Sequence, residues 1–154
     1  MMQRYWVYFI FVSLFFVGCS EKPNSKVSTS IEDTKTDTIK TIAGLNWYLN
    51  IETALEKAKE EKKNIIVMVE EDSCRWCKKM KEQTLTDKQI QDKLKAYILV
   101  SVKRSDKDAL KYLNTFDGNI PSFFFMQDNK ELIESIVGYF KADDFLDYIN
   151  EIEE

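Results

Sequence analysis

The sequence predicts an α/β domain in which helices are layered on a central sheet and an antiparallel hairpin lies near the C-terminus. Apolar, β-branched runs alternate with amphipathic helical stretches between residues 42 and 154, which is the pattern of layered α/β domains. Two apolar runs near the end of the chain are separated by a short polar turn, which favours a hairpin. Roughly 110 residues are enough to form one hydrophobic core.

The first part of this region predicts two helices around a buried strand. Charged residues separate apolar side chains at helical spacing, which predicts a first helix that carries Trp47, Ile51, Ala54, Leu55 and Ala58. Residues 64–69 form a short apolar run between charged ends, and its length and β-branched content predict a buried strand. Residues 74–85 form a basic helical stretch, so residue 74 lies where a strand passes into a helix.

The middle of the region continues the alternation. Residues 86–95 predict another helix, and residues 97–102 are apolar and β-prone, which predicts a second buried strand. Ser105 is expected to cap a helix that runs to Leu113. The spacing Ser-x-x-Asp resembles a capping box, with Asp108 in the position of the usual glutamate.

The last part predicts a turn, a hairpin and a closing helix. Residues 117–119 read Asp-Gly-Asn, which is a turn signal. Residues 122–127 and 132–137 predict two strands joined by the polar residues 128–130. Residues 143–152 predict a helix whose apolar face carries Phe145, Leu146, Tyr148, Ile149 and Ile152.

The charge and composition exclude several classes of function. The chain of 154 residues has 22 Lys and Arg against 26 Asp and Glu, a net charge of −4 and a pI near 5.1. A nucleic-acid-binding protein normally carries a basic excess, so no nucleic-acid partner is expected. Histidine is absent, which excludes Ser-His and Cys-His catalysis and histidine zinc ligands.

Residues 1–18 predict a lipoprotein signal peptide. Arg4 precedes an apolar stretch at 5–17 that is interrupted only by Ser13. A helix over that stretch spans about 20 Å, which is short of the roughly 30 Å hydrocarbon core of a bilayer. A positive end, an apolar middle and small residues are typical of a signal peptide. The alternative is an uncleaved N-terminal anchor.

Cys19 is the predicted lipidation site. Phe16-Val17-Gly18-Cys19 resembles the bacterial lipobox, although Phe16 replaces the usual leucine; the alternative is a cysteine that follows an ordinary signal peptide by chance. A lipid on Cys19 implies a bacterial cell-envelope protein that faces the periplasm, and Ser20, which is not the aspartate of inner-membrane retention, favours the outer membrane. Residues 19–41 then comprise the lipidated cysteine and a polar, flexible tether that holds domain 42–154 off the membrane.

Cys74 and Cys77 carry the predicted chemistry. They lie three residues apart at the predicted strand-to-helix junction. The free N–H groups and partial positive charge of a helix N-terminus, together with Arg75 and nearby lysines, are expected to lower the pKa of the Cys74 thiol. Cys77, one turn further along, is expected to be less exposed. An attacking sulfur and a resolving sulfur are the minimum for thiol–disulfide exchange.

Three alternatives for the cysteine pair need no exchange chemistry. A purely structural disulfide that closes so short a loop contributes little entropic stabilisation. A zinc site requires two further ligands, which the domain does not supply without dimerisation. Haem attachment requires Cys-x-x-Cys-His, and Lys78 occupies the histidine position.

Five segments occur in the order of a known family. They are Ala54-Leu55 with Ala58-Lys59, Cys74-Arg75-Trp76-Cys77-Lys78-Lys79-Met80, Glu82 with Thr84-Leu85-Thr86-Asp87, Ile120-Pro121-Ser122, and Val137-Gly138-Tyr139. Together they resemble the thioredoxin superfamily, and most closely the periplasmic thioredoxin-like domains related to the C-terminal domain of DsbD-type thiol:disulfide interchange proteins. The resemblance covers 46–148 and implies a three-layer α/β/α sandwich with a central mixed sheet.

The resemblance also implies roles for individual residues. The peptide bond before Pro121 is expected to be cis and to face the cysteines, and the backbone of Ile120 is expected to pair with an incoming substrate strand. The alternative for Pro121 is an ordinary trans turn proline that starts a strand. Trp76 is expected either to contact substrates or to be buried under its loop, while Arg75 is expected to tune the charge at the cysteines.

The sequence departs from the family beneath the motif. Many thioredoxins carry a buried aspartate six residues before the first cysteine, where this chain has Met68, and the usual lysine partner falls near apolar Leu99. Proton handling would then fall to water or to Glu70, although the favoured interpretation of Glu70 is a solvated strand end. The usual tryptophan before the first cysteine is replaced by Ser73.

These features predict a membrane-anchored thiol–disulfide oxidoreductase that acts in the reducing direction, without a bound cofactor or metal. Its expected partners are cysteine-containing secreted or periplasmic proteins and a membrane thiol reductant that supplies electrons. A monomer is expected. The alternatives are a non-catalytic binding lipoprotein on a thioredoxin scaffold, or an oxidase or isomerase of the same fold.

Overall fold

The computed structural model describes residues 39–153, which contain a six-stranded mixed sheet with helices packed on it. The strands are β1 (Ile39–Ile42), β2 (Leu45–Tyr48), β3 (Ile65–Glu70), β4 (Ile98–Lys103), β5 (Ser122–Met126) and β6 (Leu132–Val137). The helices are α1 (Ile51–Glu61), α2 (Arg75–Lys79), α3 (Lys88–Leu94) and α4 (Ala142–Glu153), with a π-helical segment at Met80–Thr84 and a 3-10 turn at Ala109–Tyr112.

The sheet order places β3 near the middle. The strands lie in the order β1-β2-β4-β3-β5-β6. Strand β3 pairs in parallel with β4 and antiparallel with β5, and β5 pairs antiparallel with β6. All residues of β3 are buried, because it has a neighbour on each edge and helices cover both faces. The mixed α/β class predicted from the alternating pattern is confirmed.

Alternate residues of β3 enter two separate cores. Ile66 and Met68 pack with the π-helical segment, α3 and α4 on one face of the sheet. Ile65, Val67 and Val69 pack with α1 and the 3-10 turn on the other face. This division follows from the period-two alternation of side chains along a strand. It produces the expected three-layer sandwich and leaves the carboxyl end of β3 free to present the loop that contains Cys74.

The start of the domain differs from the prediction in two ways. Strand β1 begins at Ile39, inside the segment assigned to the tether, because it pairs with β2 in a tight hairpin. Trp47 lies in β2 rather than in the first helix, which begins at Ile51 after Asn50 caps it by accepting a hydrogen bond from the Thr53 N–H (2.8 Å). The helical spacing of Trp47 and Ile51 is a coincidence. Both side chains are buried, but Trp47 belongs to β2 and Ile51 to α1.

The predicted helix from Ser105 to Leu113 is also wrong. The structure has only the 3-10 turn there, and Ser105 does not cap it. The carboxylate of Asp106 instead accepts hydrogen bonds from the N–H groups of Asp108 (3.2 Å) and Ala109 (3.0 Å). An aspartate side chain competes well for backbone N–H groups close to it, so the chain turns once and does not continue as an α-helix.

Other elements agree closely with the sequence. The predicted helix at 74–85 consists of α2 followed directly by the π-helical segment. Strand β6 has the predicted bounds, and the hairpin between β5 and β6 turns through Lys130 at φ 78°. Helix α4 buries Phe145 and Ile149 against the core, as its apolar spacing predicts, whereas Tyr148 of the same predicted face is exposed.

Candidate active site

The two cysteines lie where the carboxyl end of β3 passes into α2. Cys74 is the residue that caps α2, and its Sγ accepts a hydrogen bond from the N–H of Cys77 at 3.0 Å. The structure holds the two sulfurs as a disulfide. Cys74 is partly exposed, whereas Cys77 is fully buried. An attacking thiol or thiolate can therefore reach this bond through the Cys74 side.

The turn that precedes β5 lies beside the disulfide, because β5 is the direct neighbour of β3 in the sheet. The Ile120–Pro121 peptide bond is cis, as the resemblance implied. The Ile120 carbonyl oxygen lies 3.9 Å from Cys74 Sγ. Pro121 is buried and its own carbonyl accepts a hydrogen bond from the N–H of Gly138 at 2.8 Å. The fold thus brings Cys74, Ile120 and Pro121, which are remote in sequence, to one edge of the sheet.

A group of aromatic and basic side chains lies beside the cysteines on α2 and on the turn after β6. We refer to Arg75, Trp76, Lys79 and Tyr139 as the aromatic–basic patch. The Trp76 ring is 50% exposed and stacks on Tyr139, with centroids 5.7 Å apart and an interplanar angle of 29°. Lys79 Nζ lies 5.3 Å from the centroid of Trp76 and 4.3 Å from that of Tyr139. Trp76 is therefore not buried under its loop.

Tyr139 was not predicted as a site residue, and Lys79 was predicted only as one of the lysines that add positive charge near Cys74. The sequence motif Val137-Gly138-Tyr139 pointed only to the glycine, which adopts φ 115°. The Tyr139 hydroxyl donates to Gln83 Oε1 at 3.1 Å, and Thr84 Oγ1 donates to the neighbouring Phe140 carbonyl at 2.5 Å. These bonds fix the turn against the π-helical segment. Tyr139 could have been predicted from its position, because it is an aromatic residue directly after Gly138, whose N–H binds the Pro121 carbonyl.

Glu70 is buried and ion-paired, so the favoured interpretation of a solvated strand end is wrong. Only 2% of the residue is exposed. Lys81 donates to its Oε2 at 2.6 Å and Lys103 donates to its Oε1 at 2.7 Å. Lys103 also pairs with Asp72 at 2.5 Å. The physical reason is register: Glu70 lies opposite Lys103 on β4, and Lys81 reaches it from the π-helical segment.

The ion pairs decide the charge state of Glu70. Burial raises the pKa of its carboxyl, but hydrogen bonds from Lys103 and Lys81 and their positive charges outweigh burial and hold the pKa below the usual range. The carboxylate is therefore ionised near neutral pH, with both oxygens occupied by ammonium groups. This geometry favours a role in holding α2 and the π-helical segment against β3. The role of Glu70 as a proton relay stays a prediction.

Residues 39–153 contain no group of three or more Cys, Asp and Glu side chains arranged to hold a metal ion. Within the same range, no helix combines the length and the apolar character needed to cross a bilayer. Cys19 and the predicted signal peptide lie outside the described residues.

Most of the folded region matches one known protein family. The model described as a thioredoxin-like domain matches residues 51–153, which include both cysteines and Pro121. The chain belongs to the thioredoxin-like domain family. Its Cys74–Cys77 pair is accordingly the Cys-x-x-Cys pair of a thioredoxin-like fold.

Two kinds of relative agree with this assignment. A thiol:disulfide interchange protein DsbD from Actinobacillus pleuropneumoniae is 28% identical over 97 residues, which cover 58% of this chain and 16% of that protein. The chain therefore corresponds to a small part of that relative. The oxidised C-terminal domain of DsbD from Neisseria meningitidis has a TM-score of 0.56 at 19% identity and covers 68% of this chain and 97% of that domain.

A thioredoxin from Thermus thermophilus shares the fold as well. Its TM-score is 0.58 at 18% identity, and the match covers 69% of this chain and 85% of that one. At such low identity the structural likeness shows the fold alone.

The thioredoxin-like domain has apolar residues at the two positions where the sequence indicated a departure from its family. Met68 is fully buried in the core and lies opposite Ser101 on β4 and Phe123 on β5. Leu99 is likewise buried. Because both positions are apolar, neither leaves an isolated charge in the core.

Proposed function

We propose that this protein is an extracytoplasmic, membrane-anchored thiol–disulfide oxidoreductase that works in the reducing direction. The observation that carries the proposal is the asymmetry of the cysteine pair beside the cis Ile120–Pro121 turn. Cys74 is accessible and lies 3.9 Å from the Ile120 carbonyl oxygen, whereas Cys77 is buried one helical turn away. This arrangement gives each sulfur a separate role in exchange.

The reaction begins from the reduced pair. The Cys74 thiolate attacks one sulfur of a substrate disulfide, so a bond forms between Cys74 and the substrate while the substrate's S–S bond breaks and releases one substrate thiolate. Cys77 then loses its proton to solvent and attacks the Cys74 sulfur. The Cys74–Cys77 disulfide forms, the mixed disulfide breaks and the second substrate thiolate leaves. Two electrons pass to the substrate and both released thiolates take up protons from water.

The groups around Cys74 assist these reaction steps. The α2 N-terminus and the Arg75 guanidinium favour the thiolate of Cys74 over its thiol. The backbone of Ile120 is placed to pair with an extended substrate segment beside the sulfur, in the manner of strand addition. Trp76 presents an exposed apolar ring at the same edge.

The reducing direction and the location rest on sequence likeness. The relative that aligns over 97 residues is a thiol:disulfide interchange protein. After each reaction the Cys74–Cys77 disulfide must be reduced again by a thiol reductant, and we propose a membrane dithiol donor as this partner. The signal peptide predicted at 1–18 and the lipid predicted on Cys19 support a location on a bacterial membrane, with the domain facing the periplasm and the outer membrane favoured. Its substrates are then secreted or periplasmic proteins with cysteines.

The activity can be tested with the full chain that carries Cys19→Ser, so that only the two site cysteines remain. The reduced protein is mixed with a disulfide-bonded reporter protein, and released thiols are counted. We expect one reporter disulfide to be reduced for each protein molecule, with turnover when a dithiol reductant is supplied. Adding Cys74→Ser should lower the rate to the uncatalysed background. A parent protein that reduces the reporter no faster than the background, and no faster than its Cys74→Ser variant, would support a non-catalytic binding lipoprotein instead.

A further inference from the structure

We propose that the aromatic–basic patch selects substrate disulfides flanked by acidic residues. This inference rests on the proposed function and deepens it, because it names the class of polypeptide segment that docks beside Cys74. The expected occupant is an extended segment of a partner protein with Asp or Glu next to its cysteine and an apolar group that covers Trp76.

The local charge is opposite to that of the whole chain. The net charge is −4, yet positions 74–81 contain Arg75, Lys78, Lys79 and Lys81 and no acidic residue. Lys81 is neutralised by buried Glu70, and Lys78 lies 3.8 Å from Glu82. Among residues 39–153, no carboxylate forms an ion pair with Arg75 or Lys79. These two cations, which lie beside the Trp76 ring, are therefore available to a partner.

The nearby acidic residues on the same loop do not cancel this charge. Asp72, two residues before Cys74, is already paired with Lys103 at 2.5 Å. The carboxylate of Glu71 accepts a hydrogen bond from the Asp72 N–H at 3.3 Å and, among residues 39–153, forms no ion pair with Arg75 or Lys79. Arg75 and Lys79 are four residues apart on α2, so their side chains project from the same face. Since Arg75 directly follows Cys74, a carboxylate adjacent to the substrate cysteine would come within reach of these cations when the mixed disulfide forms.

The aromatic side chains provide a rigid surface between the cations. Trp76 is half exposed although it is stacked on Tyr139, and Tyr139 is held by Gln83. Lys79 lies over both rings, and Arg75 Cζ is 5.8 Å from the Trp76 centroid. Trp, Tyr and Arg are the residues most often found where binding energy is concentrated in interfaces. A fixed ring pair with Trp76 half exposed, beside two cations that form no ion pair within residues 39–153, fits a segment that is both apolar and acidic.

Rim charges of this kind act mainly on the association rate. Complementary charges at the rim of an interface raise the association rate of the two partners, and salt weakens this effect. The same charges have little effect on the dissociation rate of the complex. The patch should therefore raise the second-order rate constant for acidic substrates at low ionic strength. It should not change the chemistry at Cys74.

The test uses three symmetrical, disulfide-linked peptides that differ only beside the cysteine, with two aspartates, two serines or two lysines on each side. The reduced full chain with Cys19→Ser reduces each peptide in detergent micelles, and second-order rate constants are measured. We expect the aspartate peptide to react about tenfold faster than the serine peptide at low salt. The difference should largely disappear at 1 M salt.

A matched pair of double variants separates the patch from overall charge. Arg75→Gln with Lys79→Gln should bring the aspartate-to-serine rate ratio close to one. Lys59→Gln with Lys62→Gln, which removes the same charge from the far side of the sheet at α1, should leave the ratio as in the parent protein. A changed thiolate fraction alters the rates for all peptides by the same factor, so the ratio isolates recognition.

The outcomes distinguish a failure of the proposed substrate preference from a failure of the proposed oxidoreductase function. Equal rates for the aspartate and serine peptides at low salt, or a preference for the lysine peptide, would overturn the inference while leaving the oxidoreductase function intact. Loss of the preference in the Lys59 and Lys62 control would also overturn it, because overall charge would then be the cause. Failure to reduce any peptide would contradict the proposed function itself.

Discussion

The Cys77→Ser variant is expected to accumulate as a covalent adduct with its substrate through Cys74. Attack by Cys74 can still break the substrate disulfide, because Cys74 is the partly exposed sulfur beside Ile120. The mixed disulfide then persists, since the buried group that would resolve it is now a hydroxyl. Turnover should fall to the uncatalysed background. The adduct is measured by non-reducing electrophoresis and mass spectrometry on the full chain with Cys19→Ser.

The matched control is Cys74→Ser, which leaves only the fully buried Cys77 thiol. We expect this variant to form no adduct over the same time, because a substrate sulfur cannot approach Cys77 in line. The assignment of attacking and resolving roles would be contradicted if Cys74→Ser trapped substrate as readily as Cys77→Ser.

The second large effect is expected at Glu70. Glu70→Gln removes a buried carboxylate that accepts from two lysines and leaves Lys81 without its only partner among the described residues. Breaking a buried ion pair by removing one partner typically costs 3–5 kcal/mol. Both lysines keep partial access to water, so we expect a loss of about 3 kcal/mol in the free energy of unfolding. Chemical denaturation of residues 20–154 measures it.

The control for this variant is Glu61→Gln on α1. Glu61 also contacts two lysines, Lys57 and Lys63, but in an exposed setting, where ion pairs contribute little. We expect its free energy of unfolding to change by less than about 1 kcal/mol. Equal effects of the two substitutions would show that Glu70 does not hold the π-helical segment against β3.

The pH dependence of stability provides a separate test of Glu70. Its pKa is lower in the folded protein than the usual 4.5 of an unfolded chain. The unfolded state therefore binds the proton first, and the stabilisation is present above pH 4.5 and lost as the pH falls through the lowered folded pKa. In the Glu70→Gln variant, the free energy of unfolding should therefore fall less steeply below pH 4.5 than it does in the parent protein.

The elements that the sequence predicted well are those with a local signal. Residues 64–69 form an apolar run between charged ends and residues 132–137 follow a polar turn, and they became β3 and β6 with nearly the same bounds. The cysteine spacing and the Ile-Pro pair could likewise be read along the chain. Trp47 misled the prediction because its spacing to Ile51 suits a helix, whereas pairing between β1 and β2 placed it in a strand.

The parts of the site that the sequence did not predict depend on contacts between distant segments. The ion pair of Glu70 requires the register between β3 and β4, which aligns Glu70 with Lys103. The stacking of Trp76 on Tyr139 requires the turn after β6 to pack against the π-helical segment through Thr84 and Phe140. Neither alignment has a local signal in the chain, because sheet register and helix packing are set by the whole core.

The reduction potential of the Cys74–Cys77 pair tests the central claim most directly. Residues 20–154 are equilibrated against glutathione mixtures of known potential, and the reduced fraction is measured by thiol labelling. We expect a value close to that of thioredoxin, about −270 mV, because a protein that donates electrons to substrate disulfides must hold them at low potential. A value near −120 mV, typical of a strong disulfide oxidant, would contradict the proposed direction, and a pair that resists reduction throughout would contradict the catalytic role.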